Sequence, residues 1–105
     1  MKQYTTPDQT AKLIKLGFEK PKGLADAEPS SGKWVRPAYS IGELIEMLPD
    51  IINILHHAIL KMETTGLKWH VKYEGDRGLE FLTYNTQLID ALYDMIVKLK
   101  DDGVI

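Results

Sequence analysis

Leu67-Lys68-Trp69-His70-Val71-Lys72-Tyr73-Glu74 is the stretch on which the fold turns. Leu67, Trp69, Val71 and Tyr73 alternate with Lys68, His70, Lys72 and Glu74, a period of two that only an extended chain converts into one apolar and one wet face. On its N-terminal side Ala58, Leu60 and Met62 alternate with Ile59, Lys61 and Glu63. Thr64-Thr65-Gly66 between the two runs reads as a three-residue hairpin loop with glycine in the left-handed position. On the other side Gly75-Asp76-Arg77-Gly78 reads as a turn into a third strand, Leu79-Glu80-Phe81-Leu82-Thr83. Residues 51–57 fit strand or helix and lean to strand, which makes the antiparallel meander three- or four-stranded.

Helices flank the meander. Thr6-Pro7-Asp8-Gln9 combines a capping threonine, a proline at the first helical position, an acid at the positive helix end and a reciprocal glutamine. Ala11, Leu13, Ile14 and Leu16 supply its apolar side, and Gly17 closes it. Ser40-Ile41-Gly42-Glu43 is a second capping box, with Ile41, Leu44, Ile45 and Leu48 on one face and Pro49 as the stop. Asn85-Thr86 offers caps for a closing helix over residues 86–100, with Asp94 and Lys98 at the spacing of an ion pair. Between the first two helices, Pro21, Gly23, Pro29, Gly32 and Pro37 break every period. Residues 18–37 therefore read as an irregular connection, with a short edge strand at Lys33-Trp34-Val35-Arg36.

These elements predict an α+β fold: a three- to four-stranded antiparallel meander with about three helices packed on one face, residues 1–105 forming a single domain. The composition agrees, with 44% hydrophobic and 27% charged residues. There is no cysteine, which removes disulfides, thiolate zinc sites and thiol catalysis. Thirteen Lys and Arg against fifteen Asp and Glu give a net charge of -2, not the signature of a strongly basic nucleic-acid binder. The opening residues lack an apolar run after Lys2, and the most apolar stretch, 51–60, is broken by Asn53, His56 and His57. A cytoplasmic protein without a membrane partner is expected.

Three stretches carry a resemblance: Thr6-Pro7-Asp8-Gln9 through Leu16-Gly17, Pro37-Ala38-Tyr39-Ser40-Ile41-Gly42-Glu43-Leu44-Ile45-Glu46-Met47-Leu48-Pro49, and Leu88-Ile89-Asp90-Ala91-Leu92 through Asp102-Gly103-Val104-Ile105. Their order resembles a group of small uncharacterised proteins of gut anaerobic bacteria and their prophages. The resemblance covers about half the chain and implies a mobile-element origin, with no activity or site residue to carry over.

No constellation announces chemistry. His56-His57 and His70 are the only histidines; adjacent strand residues point to opposite faces, so at most one of the pair can join His70, and no metal-ligand spacing occurs. No serine sits in a nucleophile elbow, no histidine has an evident orienting partner, and Gly75-Asp76-Arg77-Gly78 lacks the pattern of a phosphate loop. The expectation is a protein that is not an enzyme, with no cofactor and no metal: an interaction module or accessory protein with a protein partner. A nucleic-acid-associated factor is the alternative, binding through Lys61, Lys68, His70 and Lys72 on the outer hairpin face. The closing helix carries an apolar flank, Ile89, Tyr93 and Val97, beyond what one core face needs. Either the first helix covers it or a two-fold homodimer does.

Overall fold

The computed structural model describes residues 3–26, 35–49, 51–52, 58–75 and 78–105. In chain order the elements are α1 (Pro7–Lys15), β1 (Leu24–Asp26), β2 (Val35–Pro37), α2 (Ile41–Met47), β3 (Ile51–Ile52), β4 (Ala58–Thr65), β5 (Lys68–Gly75), β6 (Gly78–Asn85) and α3 (Leu88–Asp101). The fold is mixed α+β. Strands β3-β4-β5-β6 form an antiparallel sheet in sequence order, the four-stranded version of the expected meander.

The alternation works as expected along β5. Val71 and Tyr73 are fully buried on the inner face, while Lys68, His70, Lys72 and Glu74 occupy the outer face. The hairpin turn is tighter than the sequence implied. Thr65 pairs with Lys68, so Thr64 and Thr65 belong to β4, and the loop is Gly66-Leu67 alone. Gly66, at φ 65, takes the first central position, which in a two-residue loop favours glycine. Leu67 therefore leaves the strand and stands 90% exposed at the tip. Of the ambiguous run, Ile51 and Ile52 pair with Ile59 and Ala58 as β3; residues 53–57, with His56 and His57, lie outside the described residues. Between β5 and β6, Tyr73 pairs with Phe81 and Glu74 with Leu79, so Glu80 is an extra residue in a bulge.

Helix α3 packs on the inner face over β5 and β6, and α2 packs on α3. Leu88, Ile89, Ala91, Leu92, Met95, Ile96 and Leu99 are all buried, joined in the core by Leu13, Tyr39, Leu44, Leu48, Ala58, Val71 and Tyr73. Thr83 Oγ1 donates to the Ala91 carbonyl at 2.7 Å, tying β6 to the helix above it. The expected cap of α3 is corrected by one residue: Gln87 is the N-cap and caps nothing with its side chain, whereas Asn85 Oδ1 receives the Gln87 amide at 3.4 Å. Both capping boxes are formed as expected, Thr6 with Gln9 and Ser40 with Glu43. The buried side of α1 differs from the expected one. Thr10 and Leu13 face inward, while Ala11 and Ile14 meet solvent. A hydroxyl network accounts for this: Thr10 Oγ1 lies 2.7 Å from Thr5 Oγ1, whose residue is fully buried beside Tyr39.

The irregular connection contains more order than expected. Leu24–Asp26 pairs antiparallel with Val35–Pro37 as a separate two-stranded ribbon, and the edge strand includes Pro37. Lys33 and Trp34 lie outside the described residues. Glu43 fixes the approach to the ribbon, its carboxylate receiving the amides of Lys22 and Gly23 at 2.9 Å each as well as the Ser40 amide. A Cβ on Gly23 would sit 2.7 Å from the Ala38 carbonyl oxygen and 2.8 Å from Glu43 Oε1, which is why the close approach needs glycine.

Candidate interaction surface

The strand register sets the outer face of the sheet as rows. Ile59, Glu74 and Leu79 form one row, Lys61, Lys72 and Leu82 the next, and Glu63, His70 and Tyr84 the third, with Thr65 and Lys68 beyond. The columns segregate by chemistry. Beyond Ile59 at one end, the charged residues of the face, lysines and glutamates, stand on β4 and β5; β6 presents Leu79, Leu82 and Tyr84. Tyr84 is 55% exposed, Leu79 52% and Ile59 46%.

The structure brings Lys61, Lys68, His70 and Lys72 to one face, as expected, but two of the three lysines meet carboxylates there. Lys72 Nζ lies 2.7 Å from Glu63 and 3.2 Å from Glu74, and Lys61 Nζ 3.4 Å from Glu74. Hydrogen bonds from Lys72 hold the Glu63 and Glu74 carboxyls below their ordinary value, with the charge of Lys61 adding to the effect on Glu74. The same bonds, to Glu63 first and then Glu74, raise Lys72. Lys68 instead stands over the Tyr84 ring, Nζ 4.9 Å from its centroid, and His70 tilts against the same ring at 5.9 Å. Tyr84 is thus the hub of the polar end of the face. A third strand that stops at Thr83 leaves this residue out. Following the alternation past the bulge to Asn85 places Leu82 and Tyr84 together.

The flank of α3 corrects the dimer surface composed from sequence. Ile89 is 0% exposed, and Tyr93 and Val97 are partly buried against the core. The chain covers this flank itself: α2 packs on α3, and α1 reaches it through Gln9 Nε2 donating to Asp90 Oδ1 at 2.8 Å. Burial, then the charges of Asp94 and Asp8, push the Tyr93 phenol up. Asp94 is raised by burial and by Asp90, although much of its side chain still meets water. The ion pair expected between Asp94 and Lys98 is absent from the salt bridges formed among the described residues.

An open depression of about 300 Å³ is lined by Phe18, Lys20, Lys22, Tyr39, Glu43 and Met47, among others. Two of its polar groups are committed to the fold: Tyr39 donates its hydroxyl to the Glu19 carbonyl, and the Glu43 carboxylate is taken by three amides. Burial, then Glu43, raises the Tyr39 phenol and keeps it a donor. Among the described residues no three histidine or carboxylate side chains gather as metal ligands, and no helix is long and apolar enough to cross a membrane. No family model matches the chain, and neither the curated proteins nor the solved structures contain a match to it.

Proposed function

We propose that the chain is a small cytoplasmic interaction module, an accessory protein without chemistry of its own, carried by a prophage or other mobile element, and that it binds a protein through the outer face of its sheet. The observation that carries this reading is the segregated face: an exposed apolar column on β6 beside a charged surface whose lysines are largely occupied by glutamates. Protein interfaces combine an apolar centre with a polar rim in this way. The resemblance of the three stretches to small uncharacterised proteins of gut anaerobic bacteria and their prophages supports the proposed origin.

Affinity purification of the tagged chain from its native host, with nuclease treatment, tests the reading. The expected result is a protein partner that survives nuclease and is lost from a Leu79→Lys, Tyr84→Glu variant, whose new charges oppose Glu74 and His70 within the sheet. Failure of both forms to retain any protein, including a second copy of the chain, would overturn it.

The second reading is nucleic-acid binding. Lys68 and His70 on the Tyr84 ring favour it, because single-stranded nucleic acids bind where cations and stacking rings lie together. Binding to a single-stranded oligonucleotide would weaken steeply with salt, and Lys61→Gln, Lys68→Gln, Lys72→Gln together would flatten that slope. No binding at low salt removes this alternative.

A further inference from the structure

We propose that β6 joins two copies of this chain edge to edge, an antiparallel pairing that turns two four-stranded sheets into one of eight. This rests on the interaction-module reading and names the occupant of that surface: a second copy.

Among the described residues the sheet ends at β6. One side is bonded to β5, and among the described residues no backbone group of β6 bonds to any other segment. An open edge of this kind is a template for pairing, and proteins that stay monomeric blunt it with charges or proline. The opposite side of the sheet is blunted in that manner. Beyond the two residues paired with β3, the stretch of β4 that has no strand partner on that side among the described residues carries Lys61 and Glu63. β6 has no lysine, arginine or proline, and its single charge, Glu80, sits in the bulge.

The edge is complementary to itself. The regular stretch is residues 81–85, about 17 Å long at roughly 3.4 Å per residue. A two-fold axis at Thr83 sets Leu82 opposite the partner's Tyr84, and Tyr84 opposite the partner's Leu82, with Thr83 facing its own copy. Glu80 falls outside this pairing, so no like charges meet across the axis. The two apolar columns merge into one central strip, flanked on both sides by the lysine and glutamate columns of β4 and β5. One operation closes both edges, as a symmetric dimer requires. The Thr83 bond to Ala91 holds β6 flat against α3 and presents the edge already formed.

Sedimentation of the purified chain with two variants tests the proposal. The wild type is expected to be a dimer. Leu82→Glu, Tyr84→Glu keeps favourable partners within the chain, Lys72 and His70, but sets carboxylates against each other across the axis. Association should weaken by about a hundredfold or more while the circular dichroism stays that of the wild type. Leu82→Glu, Tyr84→Lys sets opposite charges against each other in the same register and should restore the dimer. A monomeric wild type at high concentration, a Glu–Glu variant that still dimerises, or a folded Glu–Lys variant that stays monomeric would each overturn the proposal.

Should the Glu–Glu variant fail to fold, hydrogen exchange on the wild type decides. Alternate amides within 81–85 should lose protection on dilution, and protection independent of concentration overturns the pairing. A monomeric wild type that still retains a nuclease-resistant protein partner sinks the second-copy assignment alone and leaves the module reading standing.

Discussion

Thr5 is the buried residue whose replacement best measures how the N-terminal segment is held. Its hydroxyl receives the Tyr39 amide at 3.0 Å and lies 2.7 Å from Thr10 Oγ1, which itself donates to the Thr6 carbonyl at 2.9 Å. A hydroxyl has one proton. That of Thr10 is committed to Thr6, so that of Thr5 must go to Thr10, and the network runs in one direction from the Tyr39 amide to the Thr6 carbonyl. Thr5→Val preserves shape and leaves the Tyr39 amide and the Thr10 oxygen without their partner in a site that is 0% exposed. An orphaned buried donor costs about 1–3 kcal/mol, and the weakened Thr10 adds a fraction, for a total of about 2–3 kcal/mol. In a domain of this size that lowers the melting temperature by roughly 10–20 °C. Thr5→Ser keeps the network and loses one methyl, about 1 kcal/mol. Adding Thr10→Val to Thr5→Val removes both ends of one bond, so the double variant should fall short of the sum by about 0.5 kcal/mol or more. Urea unfolding of the four variants measures each term. Thr5→Val no less stable than Thr5→Ser would refute the directed network.

Three further outcomes are expected. Gly23→Ala must displace the Ala38 carbonyl or the Glu43 carboxylate and should cost about 1–3 kcal/mol in denaturant titration. Lowered carboxyls stabilise above their unfolded value and lose that contribution as pH falls through their folded value. Stability should therefore decline on acidification below the ordinary 4.5 of Glu63 and Glu74, and Lys72→Met should flatten that limb in melting curves taken across pH. A raised carboxyl has the opposite sign, an unfavourable contribution while ionised, so Asp94→Asn should raise the melting temperature at pH 7, with the gain vanishing below the ordinary 3.8.

The features legible in the sequence were those decided over one or two turns of chain. Thr6 with Gln9 and Ser40 with Glu43 announce their helices because a cap is closed by residues three apart. The β5 alternation needs only its own eight residues. The β1–β2 ribbon was not legible, since three residues cannot display a period and the pairing is closed from a distance by Glu43. The inward face of α1 was misread for a related reason: Thr10 is buried because Thr5 and Tyr39 wait there, and no local pattern encodes that. On the outer face, the positions of Lys61, Lys68, His70 and Lys72 followed from parity alone. The neutralisation of Lys61 and Lys72 did not, because Glu63 and Glu74 come within reach of them only once the register is set.

Glu43 has a consequence for the order of folding. Its carboxylate starts α2 through Ser40 and also anchors Lys22 and Gly23, twenty residues upstream of it. The nucleation of a seven-residue helix, too short to persist alone, is thereby joined to the closure of a long loop. The segment at 22–23 and the first turn of α2 should open together and reform together, as a single cooperative unit in native-state exchange that opens before the β4–β5–β6 meander, whose contacts are local.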